Sequence, residues 1–278
     1  MRYHRVMNSR RRIITLTTDF GLRDGTVGAM KGIILDICPE AQVVDVAHDI
    51  PAHDVVAGAL TLEAAVPYFP KGTIHVAVVD PGVGSARQAV ALQTPLCSFV
   101  GPDNGIFELV WKSAESNFGL GNMKAVKLSE RDFFLKKISP TFHGRDIFAP
   151  VAAHLARGTP IGKLGPPATR LQRLGIAETT PLKGGGLQGV VLAFDHFGNA
   201  ITSIGSEELS SLGPADDLQV TLGRRAIGPL RRTFADVEPG EPLAYIGSTD
   251  RLEIAARNQP LRDMLGVETG ETVTVRRI

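Results

Sequence analysis

The chain has 278 residues, of which 43% are hydrophobic and 21% charged, with a formal net charge of +1. Such a composition belongs to a soluble globular protein with room for two domains, and its scattered Lys and Arg offer no basic face to nucleic acid. Cys38 and Cys97 make neither a disulfide framework nor a metal-ligand spacing, which suits a reducing cytoplasm; no apolar run approaches the roughly 20 residues of a membrane span.

The basic start, Arg2 to Arg12, reads as a solvated tail. Ile13 to Thr18 is β-branched and ends in Asp19-Phe20-Gly21, so a strand delivers a carboxylate to a loop. Asp24-Gly25-Thr26 can cap a helix whose apolar positions Val27, Met30, Ile33, Ile34 and Ile37 keep helical spacing and stop before Pro39. Val43 to Val46 is the next strand, and it runs into a loop carrying His48, Asp49, His53 and Asp54. Imidazole and carboxylate together suit zinc, iron or manganese, yet five residues and a proline between the histidines are no firm metal signature. Asp54 is also placed to cap the helix from Val55 to Ala65.

Thr73 to Val79 is a near-continuous apolar and β-branched run, as a strand buried on both faces of a parallel sheet requires. It ends in Asp80-Pro81-Gly82-Val83-Gly84, followed by Arg87. At the carboxyl end of such a strand ligands bind, because the strand holds the side chain while the loop shapes a crevice. Ala89 to Gln93, Cys97 to Gly101 and Lys124 to Leu128 are further strands, and Pro102-Asp103-Asn104-Gly105 is a turn opening a short helix. The polar loop Pro140 to Asp146, with His143, precedes a helix from Ile147 to Ala156.

Prolines and glycines from Gly158 to Gly186 mark a connector, which places an α/β domain over 13–182 and a β-barrel-like domain over 187–278. In the latter, Gly189 to Phe194, Ala200 to Ser203, Leu218 to Leu222, Leu243 to Gly247, Leu252 to Ala255 and Thr272 to Arg277 are short strands separated by turns. Asp195-His196-Phe197-Gly198-Asn199 interrupts the first two. A polar pair around an aromatic suits a purine with a polar tail as well as it suits a hairpin.

Thr18-Asp19-Phe20-Gly21, Val44-Asp45-Val46-Ala47-His48, Val79 to Gly84, Gly101 to Gly105, Thr141 to Asp146 and Asp195 to Asn199, in this order, make a combined signature over nearly the whole chain. The sequence resembles the S-adenosyl-L-methionine hydroxide adenosyltransferases, relatives of the fluorinase and chlorinase enzymes. That resemblance implies a Rossmann-like sheet, a C-terminal barrel-like domain, and a homotrimer with active sites between subunits. It also implies a metal-independent hydrolase: water or hydroxide attacks the ribose C5′ of S-adenosyl-L-methionine and releases adenosine and L-methionine, with no cofactor beyond this substrate. The water-holding triad of the family falls on Asp80, Arg87 and His143. By the same transfer Asp19 meets the ribose hydroxyls, and Asp24, Thr26 and Ser248 the methionine moiety. Asp195 and Asn199 meet the amino-acid and adenine portions, Phe197 and Phe234 flank the purine, and Arg257 and Asn258 lie near its edge. Thr249 departs from the arginine that meets the carboxylate in the halogenating relatives.

A sulfonium leaves readily, so displacement at C5′ asks only for an oriented nucleophile in a dry pocket; orientation alone supplies about 7 to 11 kcal/mol in favourable cases. Arg87 can donate to the water or to Asp80, and Asp80 or His143 can accept the proton. Two other functions compete on the residues alone: a metal-dependent hydrolase built on His48, His53 and Asp54, and a non-catalytic adenosine or S-adenosyl-L-methionine sensor.

Overall fold

A computed structural model describes residues 12–277, so the basic start of the chain lies largely outside the described residues. The chain forms two compact units that divide between Leu174 and Gly175.

The first unit runs β1 (Arg12–Thr18), α1 (Thr26–Ile37), β2 (Ala41–Ala47), α2 (Val55–Ala65), β3 (Ile74–Val78), β4 (Ala89–Gln93), β5 (Ser98–Pro102), α3 (Glu108–Phe118), β6 (Lys124–Lys127) and α4 (Ala149–Ala156). Its sheet has the order β2-β1-β3-β5-β4-β6. Strands β2, β1, β3 and β5 are parallel, whereas β4 runs antiparallel to β5 and β6, giving a mixed sheet. The cause is local: residues 94–97 between β4 and β5 are too few for a crossover, and Thr94 N–H closes the hairpin on Cys97 C=O at 2.9 Å.

Every residue of β3 is buried. Ile74, Val76 and Val78 pack with Val27, Met30 and Ile34 of α1 and with α4, while Ala77 and the following Val79 pack with Leu62 of α2 and with Phe107 and Val110. This two-sided burial explains the unbroken apolar run. It also places Asp19, His48 and Asp80 just past the carboxyl ends of three adjacent parallel strands. The helix read from Ile147 begins earlier, as a wide turn over Gly144–Phe148 that continues into α4.

The second unit comprises β7 (Thr180–Pro181), β8 (Leu187–Phe194), β9 (Ala200–Gly205), α5 (Ser206–Ser210), β10 (Leu218–Leu222), β11 (Arg225–Pro229), β12 (Pro242–Ile246), β13 (Arg251–Ala256), α6 (Leu261–Leu265) and β14 (Thr272–Arg277). The main strand order is β11-β10-β14-β8-β9-β13-β12, all antiparallel, with β7 beside β8. Leu230, just past β11, bridges to Ala244 of β12, so the sheet nearly closes on itself. Alternate residues such as Val220, Leu222, Val273 and Val275 fill the interior. Among the described residues, no helix is long and apolar enough to cross a membrane.

Candidate functional site

Asp80 leaves β3 into consecutive turns: Val83 N–H reaches Asp80 C=O at 3.2 Å and Ser85 N–H reaches Gly82 C=O at 3.1 Å. Those turns fold Arg87 back onto Asp80. The guanidinium Nε lies 2.9 Å from each carboxylate oxygen, and Nη2 donates to Oδ2 as well. Gly82 makes room, since a Cβ there would stand 3.3 Å from Arg87 Cγ. The side chains are only 4% (Asp80) and 10% (Arg87) exposed, so the pair is largely desolvated and neither charge could be buried alone without a large penalty.

The third member arrives on the loop before α4. Asp146 is fully buried and organises that loop, accepting from Ser139 N–H at 2.7 Å and from Arg145 Nε at 2.6 Å. Arg145 lies over Phe142, 4.8 Å from its ring centre. His143 is thereby held with Nδ1 2.9 Å from Arg87 Nη2. Burial pushes the imidazole pKa below its ordinary value and the Arg87 charge pushes the same way, against Asp80 and Asp146. The result is a continuous carboxylate–guanidinium–imidazole chain.

Beside it opens a cavity of about 270 Å³ lined by Asp19, Phe20, His53, Asp80, Phe142 and His143, among others. His53 has a left-handed backbone, φ 69°, and its N–H donates to Asp19 Oδ2 at 2.9 Å, leaving Asp19 Oδ1 for a ligand. Asp24 is exposed and accepts from the Thr26 hydroxyl and from Thr26 N–H at 3.2 Å, which lowers its pKa. Asp24 thus meets the first backbone N–H of α1 from the position before its Gly25 cap residue, whereas Asp54 is itself the cap residue of α2 and its Oδ1 accepts from Ala57 N–H at 2.9 Å.

The His48, His53 and Asp54 trio is not gathered around one point. His48 is buried, with Nδ1 2.8 Å from Thr18 Oγ1 and Nε2 3.1 Å from Asp45 Oδ1, and Asp54 is occupied as a cap. Among the described residues, no three His, Cys, Asp or Glu side chains are grouped to hold a metal ion.

In the second unit, Asp195 orders its own loop: Oδ1 accepts from Phe197 N–H at 2.9 Å and Asn199 N–H at 2.8 Å, and Oδ2 from Asn199 Nδ2 at 2.8 Å. The Phe197 ring is thrown outward, 71% exposed, and Phe234 is also exposed, tilted against Tyr245 at 5.1 Å. Arg257 Nη1 donates to Val237 C=O at 2.7 Å, and Asn258 sits in a left-handed turn. Ser248 is exposed, and the neighbouring Thr249 Oγ1 is buried without a hydrogen-bond partner among the described residues.

Sequence reasoning passed over Tyr245 and Glu253. They face each other across β12 and β13, with the phenol donating to Glu253 Oε2 at 2.5 Å. Burial raises the pKa of both, and the charge of Asp195 adds to each. Gly247 is required for this pair, because a Cβ there would lie 1.9 Å from Glu253 Oε1. Nothing in the sequence signalled the pair, because the register that sets Tyr245 opposite Glu253 comes from a three-residue loop at whose ends Gly247 faces Arg251.

An α/β unit with this charged chain at the carboxyl edge of its sheet, followed by an antiparallel, nearly closed sheet, defines the class. The chain belongs to the SAM hydroxide adenosyltransferase family: residues 14–165 match its N-terminal domain and residues 189–274 its C-terminal domain. It is 41% identical over 266 residues to an (R)-S-adenosyl-L-methionine hydrolase of Salinispora tropica, covering 94% of this chain and 97% of the relative. A protein of the same name from Thermus thermophilus is 40% identical over 278 residues, covering 94% and 98%. A crystal structure of an uncharacterized conserved protein from Thermotoga maritima superposes with a TM-score of 0.85 at 33% identity, covering 95% of this chain and all of the other.

Proposed function

We propose that this chain is an enzyme that hydrolyses S-adenosyl-L-methionine to adenosine and L-methionine. The single observation that carries the reading is the Asp80–Arg87–His143 chain beside a cavity that also contains Asp19. Water or hydroxide attacks C5′ in line with the sulfonium; the new C–O bond forms as the C–S bond breaks, and the electron pair leaves on the methionine sulfur. Asp80 accepts the proton. His143 Nδ1 already takes a hydrogen bond from Arg87, whereas Asp80 Oδ1 receives only Arg87 Nε and keeps a lone pair for the water. Arg87 fixes both partners, so orientation is prepared before substrate arrives.

Asp19 holds the ribose hydroxyls through its free oxygen. Asp24, Thr26 and Ser248 meet the methionine moiety, and Phe197, Phe234, Arg257 and Asn258 surround the adenine. Asn199 contributes to the same portion, with Asp195 acting mainly by ordering the loop that presents it. The sheet is read as Rossmann-like with the substrate at its strand ends, and no metal or cofactor other than the substrate is called for, because displacement of a sulfonium needs no Lewis acid. A carboxylate beside the nucleophile repels halide, which favours water over halogenation. Membership of the family supports a homotrimer with sites completed between subunits, to which Asp80 would come from the first half of one chain and Asn199 from the second half of another. Small molecules rather than nucleic acid or membranes are its partners, and the cytoplasm its location.

Chromatography of an overnight reaction, with and without chelator, tests the assignment. Adenosine and L-methionine in equal amounts, unaffected by chelator, are expected. Homocysteine, 5′-methylthioadenosine or a chelator-dependent rate would overturn it.

A further inference from the structure

The turn Pro102-Asp103-Asn104-Gly105 is not part of the cavity, yet it touches both stems of the loop that carries Asp80 and Arg87. The paired register of β3 with β5 stops at Val76 and Val100, although β5 itself runs on to Pro102 beside β4, so the carbonyl of Val79, the residue before Asp80, lies beyond the β3–β5 ladder. Asn104 supplies its donor. Its Nδ2 donates to Val79 C=O at 2.8 Å, while its Oδ1 accepts from Ile106 N–H at 3.2 Å. A carbonyl at one end and an N–H at the other leave the amide only one orientation that satisfies both. At the other stem, Asp103 N–H donates to Gln88 C=O at 2.8 Å, immediately after Arg87.

The turn is itself clamped from outside. Asp103 Oδ1 accepts from Gln172 N–H at 2.8 Å, Glu108 Oε2 accepts from Leu174 N–H at 2.6 Å, and Gly105 lets that segment pass, since a Cβ on it would lie 2.6 Å from Leu174 Cγ. A half-buried polar side chain that caps a backbone carbonyl beyond the strand ladder, next to a buried ion pair, is more than turn chemistry.

We infer that Asn104 is a positioning residue for Asp80, acting through the Val79 carbonyl to hold the carboxylate at its station beside Arg87. The inference rests on reading Asp80 as part of the active site. Displacements of about 1 Å at a reacting group can cost a hundredfold in rate, while substrate binding by other residues is untouched.

Asn104→Asp and Asn104→Ser decide the matter. Both keep an oxygen for Ile106 N–H and so keep the turn, but neither can donate to Val79 C=O: the carboxylate has no hydrogen and the serine hydroxyl is too short. Each is compared with wild type and with Asp80→Ala for kcat, KM and calorimetric affinity for adenosine. Expected is a fall in kcat of about tenfold or more in both variants, with KM and adenosine affinity changed less than about threefold. If both turn over at the wild-type rate while Asp80→Ala is inactive, Asn104 is a turn residue and the inference fails alone. If kcat and adenosine affinity fall together, the turn supports the fold as a whole and the inference also fails. A wild-type rate in Asp80→Ala is a different result, which removes the reading of the site itself.

Discussion

Arg87 Nη2 donates to His143 Nδ1 at 2.9 Å, and because a guanidinium has no acceptor, the hydrogen of the neutral imidazole lies on Nε2. In the proposed reaction His143 would then meet the nucleophile or substrate as a donor. Arg87→Lys tests how much depends on one side chain bridging two partners. A lysine can pair with Asp80 as a point charge but cannot bind both carboxylate oxygens and the imidazole in a fixed fork. A fall in kcat of about a hundredfold is expected, with KM nearly unchanged, read by single-turnover kinetics. Equal activity in the lysine variant would show that charge alone suffices.

The imidazole should titrate below its ordinary value, since burial and the Arg87 charge both oppose protonation while Asp80 and Asp146 favour it. Followed by the NMR shift of the ring, the His143 midpoint is expected below the ordinary imidazole value. Arg87→Gln removes one opposing charge and raises the midpoint; Asp80→Asn removes a favouring charge and lowers it further. The acid limb of kcat/KM, where His143 contributes, lies below pH 6.5 for the same reason.

A buried histidine in the core gives a stability test with a definite sign. His75, on β3, is 1% exposed, lies between Phe69 and Phe99, and has Nδ1 2.8 Å from Thr15 Oγ1. Burial lowers its pKa from 6.5 to about 4. The folded state therefore resists a proton that the unfolded chain accepts, so the contribution is complete above about pH 6.5 and lost as pH falls through about 4. Over that window the difference is about 3 kcal/mol. Urea midpoints for wild type and His75→Gln across pH 7 to 4 should converge as pH falls. Parallel curves would mean that His75 does not titrate with folding.

What was legible in the sequence had periodicity or punctuation behind it. The run before Asp80 announced a strand buried on both faces, and Asp54 before an apolar stretch announced a cap. Residues whose role is set by a long-range partner were not legible. Asp146 is one of many loop carboxylates until Ser139 and Arg145 are seen to close on it. Asn104 reads as turn chemistry until Val79 is found beside it. Strand β11 was missed because Arg225-Ala226-Ile227-Gly228-Pro229 shows no alternation, and its Gly and Pro are tolerated only because it lies at the end of the strand order. The antiparallel setting of β4 was implicit in its short connection, yet nothing in its composition declared it.

Gly84 joins the two loops that make the charged chain. It has φ +77°, a conformation that costs other residues about 1 to 2 kcal/mol, and a Cβ there would lie 2.5 Å from the carbonyl oxygen of Pro140. That contact is with backbone, so no side chain can swing aside; the Asp80–Arg87 loop and the Pro140–His143 loop must part instead. Gly84→Ala should therefore do two separable things. Stability falls by about 2 kcal/mol, from the left-handed backbone and the clash together, measured by denaturant unfolding. Turnover falls by more than the lost stability explains, because the loops that part carry Arg87 and His143, and the 2.9 Å bond between them is the first to lengthen. An assay at a temperature where the variant is fully folded separates the two effects. A stable, fully active Gly84→Ala protein would show that the contact between Gly84 and Pro140 does not couple the two loops.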